Sequence, residues 1–77
     1  MTLEYDKDVQ AVYIQLRDLP YAFGKDLDNF RRIDFSADGQ PVGVELLDVD
    51  QGVNTDGLPE RNSIEDALAE HGIKAYA

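Results

Sequence analysis

No cysteine occurs among the 77 residues, which excludes a disulfide framework, a thiolate nucleophile and a zinc–thiolate centre. Positive charge is scarce: seven Lys and Arg stand against sixteen Asp and Glu, a formal net charge of −9. That field repels phosphate backbones and anionic headgroups, so neither nucleic acid nor a membrane is an expected partner; the charge reads as solubility or, alternatively, as attraction to a basic protein partner. No apolar run approaches the length of a membrane span, and Met1-Thr2-Leu3-Glu4-Tyr5-Asp6 has neither the basic nor the apolar segment of an export signal, which predicts a cytoplasmic protein. There is no Gly-x-Ser-x-Gly elbow, phosphate loop, dinucleotide fingerprint, His-Glu-x-x-His or Cys-x-x-Cys. The single histidine, His71, has no companions at ligand spacing and reads as a cation at the negative end of a helix.

The 43% of apolar residues suffices for a globular chain, although a domain of this size buries only about 60% of its unfolded surface. Leu3 and Tyr5 alternate with polar neighbours, as do Val12, Ile14 and Leu16 within Gln10 to Arg17, the period-two signature of strands with one wet face. From Asp18 to Asn29 the alternation fails around Pro20 and Gly24. A loop is expected there, its Leu19, Tyr21, Phe23 and Leu27 folding back over the core or, alternatively, forming a ligand lid. Phe30 to Ser36 resumes the alternation with Ile33 and Phe35, and Val42, Val44 and Leu46 mirror it. Between them, Ala37-Asp38-Gly39 suits a type I turn closed by a left-handed glycine.

Residues 49–61 form a turn-rich connector, and a helix over 62–72 follows. Asn62 with Glu65, or Ser63 with Asp66, supplies a capping pair; Ile64, Ala67, Leu68 and His71 make one stripe; Gly72 and Ile73 terminate it. The expected fold is one α+β domain over 1–77. Residues 1–48 form a four-stranded antiparallel meander, and the helix is laid over Val12, Ile14 and Val44. The opposite face, carrying Tyr13, Arg17, Arg32, Asp34, Glu45 and Leu47, is too apolar for open solvent and too polar for a core. It is the expected interface, and homodimerisation through it or through a strand edge is the leading assembly.

No catalytic, cofactor or metal residues are expected. Asp48 to Gly57 has oxygen ligands at every second residue, but counting Asn54, Asp56 and Gly57 as calcium-loop positions three, five and six puts Gly52 and Ser63 where acids are required. Glu4 with Asp6, and Asp26 with Asp28, are carboxylate pairs on segments that read as exposed, where charge discourages strand-on-strand aggregation. Gly43 interrupts a strand, which predicts a bulge or an aromatic lying across the backbone; Tyr13 is the candidate, with a ligand as the alternative.

Tyr5-Asp6, Ala11-Val12-Tyr13-Ile14-Gln15-Leu16 and the block from Ile33 to Asp48, above all Asp38-Gly39-Gln40-Pro41-Val42-Gly43-Val44-Glu45-Leu46-Leu47-Asp48, resemble a small bacterial domain-of-unknown-function family numbered twenty-two eighty-three. The resemblance covers Leu3 to Asp48; Gln10 stands where members often carry an acid, and the chain from Val49 onward has no counterpart. It implies a small, β-rich protein and leaves an antitoxin-like or accessory role open, with no catalytic residue to transfer. An interaction module is therefore the expected function. A small enzyme with an unrecognised carboxylate site and an acidic nucleic-acid mimic are the alternatives; the first requires a concave pocket with perturbed acids, the second a continuous acidic stripe.

Overall fold

A computed structural model describes all residues, 1–77. Five antiparallel strands, β1 (Thr2–Asp6), β2 (Ala11–Gln15), β3 (Phe23–Asp26), β4 (Arg31–Phe35) and β5 (Pro41–Leu46), form one sheet in the order β1-β2-β5-β4-β3. After a 3-10 turn at Val49–Gln51 come β6 (Val53–Asn54), α1 (Arg61–Glu70) and β7 (Ala75–Tyr76), with β6 and β7 paired in parallel. The α+β class and the single C-terminal helix match the expectation. No helix is long and apolar enough to cross a membrane.

The four-stranded meander does not form. A fifth strand, β3, arises within the expected loop, and β5 returns between β2 and β4 as in a Greek key. Alternation identifies strands but not their neighbours. Burial decides the matter here: Val42, Gly43 and Val44 are consecutively buried, as befits a strand flanked on both sides. The chain passes from β2 to the far edge along the end of β5, where the Leu16 and Arg17 amides both donate to the Val42 carbonyl, and the Ala22 amide then donates to Phe35.

The expected turn between β4 and β5 is present. The Gly39 amide donates to the Ser36 carbonyl at 3.0 Å, the Ser36 amide to that of Gln40 at 2.9 Å, and Gly39 has φ 84°. Both Ser36 and Gln40 side chains donate to Asp38, holding its carboxyl below the usual range.

The core lies between one sheet face and the C-terminal segment. Val12, Ile14, Leu16, Val44 and Leu46 of the sheet meet Val49, Val53, Leu58, Ile64, Leu68 and Ile73. The connector thus contributes core residues. Arg31 holds it to the sheet, donating to the carbonyls of Asn54 at 2.9 Å and Asp56 at 2.6 Å. Buried Thr55 has its hydroxyl 2.6 Å from a Glu65 oxygen and 3.0 Å from the Tyr76 carbonyl, which ties β6 to both α1 and β7.

The helix starts earlier than its capping pattern predicts. Glu60 is the N-cap, at φ 50° with no side-chain cap, and Asn62 and Ser63 lie inside the first turn. Of the acids in the expected capping pairs, Glu65 is engaged with Thr55 and Arg61, and the N-cap residue itself, Glu60, turns its carboxylate to Arg17. The C-terminal end follows expectation: Gly72 has φ 72°, its amide donates to Ala69 and that of Ile73 to Leu68, a Schellman closure with Ile73 buried. A His71 ring nitrogen lies 3.0 Å from the Ala67 carbonyl, at the helix end where it was placed.

Candidate interaction surface

The side of the sheet turned away from the core is uncovered. Register places Glu4 beside Tyr13, Tyr13 beside Glu45, Glu45 beside Arg32 and Arg32 beside Asp26, one row crossing all five strands. A second row runs from Gln15 through Gly43 and Asp34 to Gly24. Two glycines in the second row leave room for two long side chains from the first.

A Cβ at Gly43 would overlap the phenol end of Tyr13, and one at Gly24 would overlap the Arg32 guanidinium. Tyr13 lies across β5 and donates to Asp34 Oδ2 at 3.0 Å; Arg32 lies over β3 and reaches Asp34 Oδ1 at 3.4 Å and Asp26 Oδ1 at 3.3 Å. Asp34 thus joins the two, and the aromatic expected over Gly43 is Tyr13. The signal for Arg32 over Gly24 was present in sequence as a second strand glycine, but Gly24 was read as a loop residue.

Of the six expected surface residues, Tyr13, Arg32, Asp34 and Glu45 come together. Leu47 borders the same region, half-exposed, beside Asp26, Arg32 and Glu45. Arg17 does not belong there. The bulge at Leu16 and Arg17 slips the alternation by one residue, and the Arg17 guanidinium donates to the Pro41 carbonyl at 2.8 Å and to Glu60 at 2.7 Å, next to α1. The aromatics of the expected loop also lie elsewhere than predicted. Tyr21 and Phe23 are about half exposed at the β3 edge, with Phe23 stacked on Phe35 at a centroid distance of 5.1 Å, rather than covering the core.

Charge on this face is one-sided. Glu4, Asp6, Asp26, Asp34 and Glu45 share it with one cation, Arg32, yet they form no continuous acidic stripe because Tyr13 and Arg32 interrupt the row. Asp26 and Asp28 do not act as a pair. Asp26 meets Arg32, whereas Asp28 accepts from the Phe30 amide and from Arg31 in the β3–β4 turn, contacts that hold its carboxyl below the usual range. Nor is there an enclosed cleft: the hollow beside Tyr13 measures about 140 Å³ and that beside Arg32 about 250 Å³, below the roughly 300–1,000 Å³ of small-molecule sites, and the larger one at the end of the face, about 380 Å³ beside Thr2, Gln15 and Arg17, is open to solvent.

Burial, then the hydrogen bond to Asp34 and the charges of Asp34 and Glu45, push the Tyr13 hydroxyl up from 10.0 to about 12. Because the native state holds this proton more tightly than the unfolded chain, the resulting stabilisation is complete below about pH 10. It is lost as pH rises through about 12. Tyrosinate absorbance followed against pH is expected to show a late step that Tyr13→Phe abolishes; survival of that step in the variant would refute the assignment.

The fold and surface define a small α+β sheet protein with one face closed by its own C-terminal segment and one acidic face open. The chain belongs to the family described as "Protein of unknown function (DUF2283)", which matches residues 2–49. The match spans all five strands of the large sheet and ends at Val49, so β6, α1 and β7 lie outside it. No curated protein and no solved structure matches the chain.

Proposed function

We propose that this chain is a protein-interaction module whose open sheet face takes a basic segment of a partner protein. The observation that carries this reading is the one-sided charge of that face, five carboxylates to one arginine on a broad, shallow surface. Such a surface suits an extended or helical basic segment better than a small molecule. It also argues against self-association face to face, since two copies would set Glu4, Asp6 and Glu45 against one another, and opposed like charges are costly. An antitoxin-like or accessory role accords with binding a basic partner.

Titration calorimetry with a Lys- and Arg-rich peptide tests the reading. Glu4→Lys combined with Glu45→Lys is expected to weaken binding at least tenfold, about 1.4 kcal/mol, whereas Asp66→Lys with Glu70→Lys on the helix, equal in net charge, leaves it within about twofold. Equal losses from both pairs would reduce the attraction to net charge and overturn the assignment to this face.

A further inference from the structure

The two edges of the large sheet are unlike. Along β1, Met1, Thr2 and Leu3 border the helix residues Ser63, Asp66, Ala67 and Glu70, so the edge is flanked by acids. At β3 no helix stands alongside. Exposed apolar side chains gather there instead: Tyr21 before the strand, Phe23 within it, and Leu27 and Phe30 in the turn that follows. An unprotected edge bordered by aromatics is a template for another strand.

The β3–β4 register fixes which backbone groups point outward. Residues 23, 25 and 27 oppose 35, 33 and 31, and the Leu27 amide donates to the Arg31 carbonyl at 2.8 Å, which makes this odd-numbered set the inward-bonded one. Antiparallel ladders alternate, so Gly24 and Asp26 present their amides and carbonyls to solvent. We propose that two copies of this chain pair antiparallel through β3 about a two-fold axis at Gly24, joining their sheets into one.

Such an axis, perpendicular to the sheet, keeps like faces together and allows only registers in which partners share a face. Centred on Gly24, it lets the two glycines exchange N–H to C=O bonds and brings the Asp26 amide to the partner's Ala22 carbonyl. Phe23 then faces the partner's Lys25, placing an ammonium against an aromatic already stacked on Phe35. A centre on Lys25 or Asp26 would oppose like charges instead. The absence of a side chain at Gly24 lets the two backbones meet without obstruction. Each Arg32, lying over its own Gly24, keeps its own Asp26 and Asp34 carboxylates as counter-charges. The open acidic faces become continuous across the pair, and the pairing does not depend on what those faces bind.

A strand of four residues with flanking side chains belongs with interfaces below about 1,200 Å², which are weak and transient. The expected result in sedimentation equilibrium is therefore a mass rising from one chain to two between micromolar and millimolar concentration. Amide exchange measured over the same range locates the contact: Gly24 and Asp26 slow as dimer forms, while the β1 amides do not change. Lys25→Glu, a substitution on an exposed side chain, is expected to weaken the dimer about tenfold with the melting curve at low concentration unaltered. A single-chain mass at millimolar concentration overturns the proposal, as does a dimer in which the Gly24 and Asp26 amides exchange as fast as in the monomer.

Discussion

A chain cut after Val49, which retains every strand of the large sheet and the whole family match, is expected not to fold. The cut removes Val53, Leu58, Ile64, Leu68 and Ile73 and leaves Val12, Ile14, Leu16, Val44 and Leu46 facing water. Full burial of one such side chain stabilises by roughly 1.5–3 kcal/mol. Losing five of them, and uncovering the five they meet, exceeds the ~5–15 kcal/mol that separates folded from unfolded states in a typical domain. The fragment should show no cooperative melt and should bind a hydrophobic dye. Leu68→Ala grades the same argument. This fully buried side chain sits at the turn whose carbonyl closes the helix end, and its loss should cost about 2–5 kcal/mol by urea unfolding. A single cooperative transition from residues 1–49 alone would show that the sheet does not need this cover.

The sequence showed the elements whose signal is local and missed what depends on neighbours. Alternation at Val12, Ile14 and Leu16, the turn at Asp38-Gly39 and the Gly72 closure each need only a few adjacent residues, and each stands where it was expected. The strand at Phe23–Asp26 was hidden because its one glycine and two charges, Lys25 and Asp26, erase the pattern on both faces. Glycine is tolerated there because a side chain from the neighbouring strand, Arg32, fills its place. Strand order was likewise invisible, since nothing in β5 declares that it will insert between β2 and β4. The helix start was misplaced because Glu60 and Glu65 are drawn to Arg17 and Thr55, residues distant in sequence. Most of the candidate surface was legible, since Tyr13, Arg32, Asp34 and Glu45 follow from parity alone. Arg17 was lost to a bulge that parity cannot show.

Gly43→Ala is expected to destabilise the protein by about 1–3 kcal/mol, the opposite of what strand propensity predicts. Elsewhere in a strand the change would gain roughly 0.5–1 kcal/mol, because glycine loses more backbone freedom on folding. At Gly43 the new methyl falls within the phenol end of Tyr13, so the ring must leave β5 and give up its hydrogen bond to Asp34. Overpacking costs of this kind run to about 1–3 kcal/mol, and a partly buried Asp34 that keeps only Arg32 as a side-chain donor adds to them. The double mutant with Tyr13→Ala isolates the cause. With the ring gone, Gly43→Ala should become neutral or stabilising, a reversal of sign that reports coupling of about 2 kcal/mol between the two positions. Gly24→Ala supplies the contrast. Its obstruction is the Arg32 guanidinium, the far end of a flexible and 40% exposed side chain, which can swing aside into solvent at little cost. Equal costs at Gly43 and Gly24, or no change of sign in the Tyr13→Ala background, would mean that Gly43 is fixed by the backbone of β5 rather than by the tyrosine lying over it.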